Sequence, residues 1–184
     1  MTRLFAGIEL DARARATCVG AQSRLREAAY EARYEPPEKL HVTIAFLGNV
    51  ETVRVPGIEA ALDDVATHTP PFTLSLDKLG AFPHARRPRI VFIGSRAQGA
   101  PFRTLAATLR LRFEAMGFTF ADDAVMHVTI ARTKGRSTRP LPLLDIAATE
   151  LAVGAIALFE SLPDKQTTRY VVRRSAPLGV DRKR

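Results

Sequence analysis

One cysteine, Cys18, in 184 residues excludes an internal disulfide and points to a reducing compartment. No apolar run is long enough to cross a bilayer: the longest towards the C-terminus, residues 151–159, falls well short of a span. Met1-Thr2-Arg3 runs directly into Leu4-Phe5-Ala6-Gly7-Ile8 without the layout of a signal peptide, so the expected location is the cytoplasm. No Gly-x-x-x-x-Gly-Lys-Ser/Thr loop is available to cradle ATP. Cys pairs and His-Glu clusters are also missing, which argues against a zinc centre. Acid is in short supply: 19 Asp+Glu stand against 27 Lys+Arg, a net charge of +8 that favours a polyanionic partner such as nucleic acid. Part of that excess lies in the tail at 181–184. A hydrophobic fraction of 46% with 25% charged residues suits a soluble globular protein with a substantial core.

Against this background the pentapeptide His-Val-Thr-Ile-Ala occurs twice, at residues 41–45 and 127–131, and uses two of only four histidines. Its alternation reads as a β-strand, with Val42, Ile44, Val128 and Ile130 on one face and His41, Thr43, His127 and Thr129 on the other. His and Thr then point the same way, roughly 7 Å apart at about 3.3 Å per residue. Each copy presents an imidazole and a hydroxyl together. One such match alone would be weak evidence; two in parallel contexts are not.

The surroundings of the two copies correspond. A strand over 3–10 and a helix over 11–33, broken by Tyr34-Glu35-Pro36-Pro37, lead to the first motif. A strand over 88–95 and a helix over 100–116, with Phe102, Leu105, Ala106, Leu109, Phe113 and Met116 on one face, lead to the second. Phe5 precedes His41 by 36 residues and Val91 precedes His127 by 36, which suggests a duplicated strand, helix, strand unit. Between the halves the pattern predicts a helix over 58–67 and a strand over 72–79. After the second motif come a basic loop over 133–140 and a hairpin of strands 151–162 and 167–174, turning at 163–166. The expected fold is α+β: one bilobal domain over 1–184, two pseudo-symmetric lobes, each a mostly antiparallel sheet flanked by helices, with a central cleft.

Related halves should bring the two imidazoles to one cleft. Histidine, with an unperturbed pKa of about 6.5, can take and give a proton near neutrality, so a facing pair suits concerted acid–base chemistry. Two threonine hydroxyls beside them suit oxygens carrying negative charge, which makes a phosphoryl centre the natural guest. Symmetry offers either role to either histidine. His68 and His84 lie in Pro-flanked segments with no companion motif, and Asp122 and Asp123 read as solvated loop residues. Phe5 and Phe46 are candidates for stacking on a base, against the alternative that a strand Phe is core.

On these residues the chain resembles the 2H phosphoesterase superfamily, and within it the bacterial RNA 2′,3′-cyclic phosphodiesterases, also called 2′-5′ RNA ligases. The resemblance extends to Arg3-Leu4-Phe5-Ala6, Ala45-Phe46-Leu47-Gly48, Arg89-Ile90-Val91-Phe92-Ile93-Gly94, Arg132 and Leu158-Phe159-Glu160-Ser161. Met126 stands where the group often has Pro. The resemblance implies a LigT-like fold and a metal- and cofactor-independent opening of a terminal RNA 2′,3′-cyclic phosphate to a 2′-phosphate. It assigns His41 as proton donor, His127 as proton acceptor, and Thr43, Thr129 and Arg132 as phosphate-binding residues. Reverse, ATP-independent 2′-5′ ligation would use the same histidines. The implied partner is RNA with a cyclic-phosphate end, tRNA fragments among the candidates, bound by a monomer with no membrane role. The alternatives are another 2H activity, on 2′-5′ oligonucleotides or small cyclic nucleotide phosphates, and a non-catalytic RNA-end binder.

Overall fold

The computed structural model describes residues 1–97, 99–121, 123–133, 139–164 and 167–179. Asp122, most of the expected basic loop, the turn residues 165–166 and the tail at 181–184 lie outside them. Among the described residues, ten strands and three α-helices follow in the order β1 (Thr2–Glu9), α1 (Ala12–Glu27), β2 (Arg33–Tyr34), β3 (His41–Val50), α2 (Val55–Thr67), β4 (Phe72–Leu76), β5 (Lys78–Phe82), β6 (Ile90–Gly94), α3 (Ala100–Glu114), β7 (His127–Arg132), β8 (Thr149–Val153), β9 (Ala155–Asp164) and β10 (Thr167–Pro177). No described helix is long and apolar enough to cross a membrane.

Seven strands form one antiparallel sheet in the order β10-β9-β1-β3-β7-β6-β5, and β2 adds to β7; β4 and β8 pair separately. The expected α+β fold with two related halves is present, and their sheets meet where β3 and β7 pair through Val42 and Val128. The halves correspond down to an irregularity. In β3 the pairing with β1 skips Ile44, between Gly7↔Thr43 and Ala6↔Ala45. In β7 the pairing with β6 skips Ile130, between Phe92↔Thr129 and Val91↔Ala131. Both are one-residue bulges, which keep the following alanine, Ala45 or Ala131, in the core and bring Phe46 and Arg132 to the cavity.

That register corrects the interval in the sequence: Val91 corresponds to Ala6, not Phe5, since each pairs with the alanine after its bulge. The equal spacing of 36 is offset by one residue because the helix-to-strand connections differ. The first carries β2 and a 3-10 turn at Pro37–Lys39.

The helices cross over. α1, from the first unit, packs on β7, and α3, from the second, packs on β3. Each caps the opposite bulge: buried Gln22 of α1 donates through Nε2 to the Ile130 carbonyl at 2.8 Å, and Arg110 of α3 donates through Nε to the Ile44 carbonyl at 3.0 Å. A bulge frees a carbonyl from the ladder, and one buried without a partner costs about 1–3 kcal/mol. Here the opposite helix supplies a donor, and at Ile130 the Glu35 N–H supplies a second at 2.9 Å.

Three sequence-based elements differ most from expectation. The first helix starts as expected, with Asp11 accepting from the Ala14 N–H at 2.7 Å, but stops at Glu27 rather than 33. Ala29 turns left-handed at φ 51° and the Tyr30 N–H closes back on the Leu25 carbonyl, a Schellman-type stop with alanine where glycine is usual. Burying Tyr30, 3% exposed, offsets a cost of about 1–2 kcal/mol for that backbone. The strand expected over 72–79 is two, β4 and β5, parted at Asp77 and sent to different sheets. The strand over 151–162 likewise parts at Gly154 into β8 and β9.

Candidate active site

Beside the Val42↔Val128 pair, antiparallel register sets His41 against Thr129 and Thr43 against His127 on the shared polar face. All four line one small cavity of about 130 Å³, together with Phe5, Glu35, Lys39, Phe46, Arg132 and Tyr170. The buried valines face the core on the other side, so the alternation that anchors the strands also aims the chemistry.

Both imidazoles are held the same way. His41 Nδ1 lies 2.6 Å from the Lys39 carbonyl, and His127 Nδ1 lies 2.8 Å from the Val125 carbonyl. A carbonyl can only accept, so each Nδ1 carries a proton, and in the neutral ring Nε2 is left as the basic atom. His41 Nε2 is 3.0 Å from the Thr43 hydroxyl, which donates to it while the ring is neutral.

Aromatic rings wall off both histidines. His41 has Phe5 at 4.7 Å, Tyr170 at 5.3 Å and Phe159 at 5.6 Å between ring centroids. His127 has Phe82 at 5.2 Å and Phe92 at 5.4 Å, both edge-on. The Phe92 ring fits only because β5 carries Gly80 opposite it: a Cβ there would come within 2.4 Å of Phe92 Cζ. Burial, the main cause, lowers both histidine pKa values below the ordinary value, and the backbone hydrogen bonds partly offset it. The charge of His127 depresses His41 further and Glu35 opposes this, while Arg132 lowers both.

Arg132 reaches the cavity, held by Glu35 Oε1 at 2.8 Å from its Nε. Phe46 is 49% exposed, with the Arg3 guanidinium 5.1 Å from its ring centre. Phe5 differs: only 2% exposed and stacked on Phe159, it backs the His41 ring and offers no open face to a base. His68 and His84 line none of this cavity; they contact the Asp64 carbonyl and the Arg87 N–H respectively. Sequence reasoning missed Glu35, Lys39 and Tyr170 as site residues. Glu35 and Lys39 flank a Pro-Pro break that reads as a simple stop, and Tyr170 arrives from the distant β10. A roomier groove of about 760 Å³ runs between α2 and α3, but it contains neither motif and is mostly apolar. Among the described residues no three His, Cys, Asp or Glu side chains gather as a metal site. Cys18 is buried and its thiol pushed up to about 12, far from a reactive thiolate.

Known proteins share both the sequence pattern and the fold. A family model described as LigT like Phosphoesterase matches residues 8–92. The RNA 2′,3′-cyclic phosphodiesterase of Methanothermobacter thermautotrophicus is 32% identical over 137 residues, 74% of each chain. The crystal structure of TT0787 of Thermus thermophilus superposes with a TM-score of 0.85 at 28% identity, covering 97% of this chain and 99% of that one. E. coli LigT in apo form gives 0.81 at 25% identity, covering 97% and 98%. The same protein has been solved complexed with phosphate and with 3′-AMP, at 25% and 26% identity and TM-scores of 0.78 and 0.74, covering 97% and 98% in the first case and 96% and 97% in the second.

Proposed function

The chain belongs to the LigT-like 2H phosphoesterase family of RNA 2′,3′-cyclic phosphodiesterases, and from that premise we propose that it hydrolyses the 2′,3′-cyclic phosphate at RNA ends to a 2′-phosphomonoester. The observation that carries this reading is the pair of Nδ1-anchored imidazoles in one small cavity, each with a threonine hydroxyl beside it. Relatives named for this activity and the 3′-AMP complex of E. coli LigT support it.

In this mechanism Nε2 of His127 removes a proton from water as it attacks phosphorus in line with the P–O3′ bond. Nε2 of protonated His41 delivers its proton to O3′ as that bond breaks, leaving the phosphate on O2′. Each proton transfer contributes about 10²–10⁴-fold. Thr43 and Thr129 donate to the non-bridging oxygens, where charge accumulates, and Arg132, three residues beyond Thr129 on β7, keeps a cation at the rim of the cavity. Afterwards His127 is protonated and His41 neutral, so exchange with solvent resets the pair. With an RNA 5′-hydroxyl in place of water as the nucleophile, attacking the cyclic phosphate as O3′ departs, the same pair joins ends through a 2′-5′ linkage without ATP. No step uses a metal.

The test is hydrolysis of a short RNA ending in a 2′,3′-cyclic phosphate, in EDTA, with the product resolved as 2′- or 3′-phosphate. The expected product is the 2′-phosphate at an undiminished rate. Inactivity in EDTA restored by a divalent ion, or a 3′-phosphate product, would overturn the reading.

A further inference from the structure

Two residues past each bulge stand equivalent positions, Phe46 in β3 and Arg132 in β7, paired with Phe5 and Ile90 respectively. One side of the cavity therefore offers an apolar ring and the other a guanidinium. Arg132 has company. β2 pairs on β7 with Arg33 directly opposite Arg132, which puts both side chains on the cleft face. Their guanidiniums reach the same oxygen, Glu35 Oε1, at 3.9 and 2.8 Å. Glu35 is fixed in turn: its N–H donates to the Ile130 carbonyl at 2.9 Å, and its carbonyl accepts from Gln22 Nε2 at 2.7 Å.

Exposure orders this cluster. The Glu35 side chain is 13% exposed, beneath Arg132 at 44% and Arg33 at 65%. The carboxylate engages Arg132 through Nε, which leaves the outer Nη edge for an anion. Two guanidiniums thus stand against one carboxylate, and Lys39, over the Tyr170 ring, lines the same cavity as Arg132. Such a cluster is net positive, aligned by an inner acid and open to solvent.

We propose that Arg33 and Arg132, bridged by Glu35, form a subsite for the phosphodiester that precedes the reacting nucleotide, so that the protein acts on RNA strand ends in preference to free nucleoside 2′,3′-cyclic phosphates. The inference rests on the function proposed above. A phosphodiester carries one permanent negative charge and two free oxygens, which suits paired guanidiniums better than a lone ammonium. Arg132 lies three residues beyond Thr129 on β7, so the rim begins about 10 Å along the strand from the reacting phosphate's hydroxyl at about 3.3 Å per residue, and a side chain's reach closes much of that gap. The terminal base is left to the Phe46 side.

The experiment compares kcat/KM for a tetranucleotide ending in a 2′,3′-cyclic phosphate with that for the matching nucleoside 2′,3′-cyclic phosphate, across a salt series. The parent should favour the tetranucleotide by tenfold or more. Arg33→Gln should remove about five- to tenfold of that advantage through KM, flatten the salt dependence by about one phosphate contact, and leave nucleoside kinetics within twofold. Arg33→Glu should lower tetranucleotide turnover further. Equal kcat/KM for both substrates in the parent, or an equal loss on both in Arg33→Gln, would overturn the subsite. A parent inert on the nucleoside as well as the tetranucleotide would overturn the hydrolytic reading itself, and the subsite with it.

Discussion

Under the proposed function the two halves of the cleft agree in what reacts and differ in what recognises. Each contributes a His with Nδ1 on the carbonyl two residues before it, a Thr two residues after, a bulge at the following Ile and a capping side chain from the opposite helix. Past the bulge the halves diverge, with half-exposed Phe46 on one side and Arg132 with Glu35 on the other. Their linings diverge too. Gly7, where a Cβ would lie 2.6 Å from the Val42 carbonyl oxygen, occupies the place that Phe92 fills in the other half. The proposed proton transfers use the two histidines as a pair, whereas the proposed substrate, with a base at one end and a chain of phosphates at the other, needs unlike ends.

The largest break in the shared part comes from His41→Ala and His127→Ala. Each should lower kcat by about 10²–10⁴-fold on the cyclic-phosphate RNA, and the double variant should lose far less than the product of the two, because the pair acts as a unit. Thr43→Val and Thr129→Val should each cost about 10²-fold in kcat, with little change in KM, if the hydroxyls serve the transition state. Single-turnover rates measure both.

The bulge caps sharpen the comparison through stability. Gln22→Leu removes one of the two donors on the Ile130 carbonyl, which keeps the Glu35 N–H, and takes the Gln22 bond from the Glu35 carbonyl, so unfolding free energy should fall by about 1–3 kcal/mol in a urea titration. Arg110→Met, which removes the matching cap on Ile44, should cost less, because Arg110 is less buried than Gln22. The divergent part yields the smallest effects. Phe46→Ala should raise KM by about fivefold or more for the loss of one base stack, while leaving kcat within twofold.

How much of this could be read from the chain depended on the range of the pattern. The His-x-Thr strands were legible because a period of two over five residues fixes both the buried and the cleft face. The duplication was legible as an element order, though not to the residue, since connections of unequal length hid a one-residue offset between Ala6 and Phe5. Other features rest on partners far along the chain. The end of α1 at Glu27 depends on a left-handed Ala29, whose carbonyl accepts from Arg139 at 2.7 Å. The break at Asp77 depends on the Asp77 N–H bonding the Gly94 carbonyl and on its side chain receiving the Arg96 N–H. Apolar content alone could not divide 72–79 between two sheets. Glu35 read as part of a helix stop, and its place in the site follows only from β2 pairing with β7.

The central claim is that His41 and His127 act as one acid–base pair, and the pH dependence of kcat/KM tests it most directly. Both folded-state pKa values lie below the ordinary value of about 6.5 because burial disfavours the charged rings. The active form has one ring protonated and the other neutral, so activity should rise and fall as a bell centred on the acid side of about 6.5. Replacing His127, the base, should remove the acid limb from the residual activity; replacing His41, the acid, should remove the alkaline limb. A bell that survives unchanged in both variants would contradict the account.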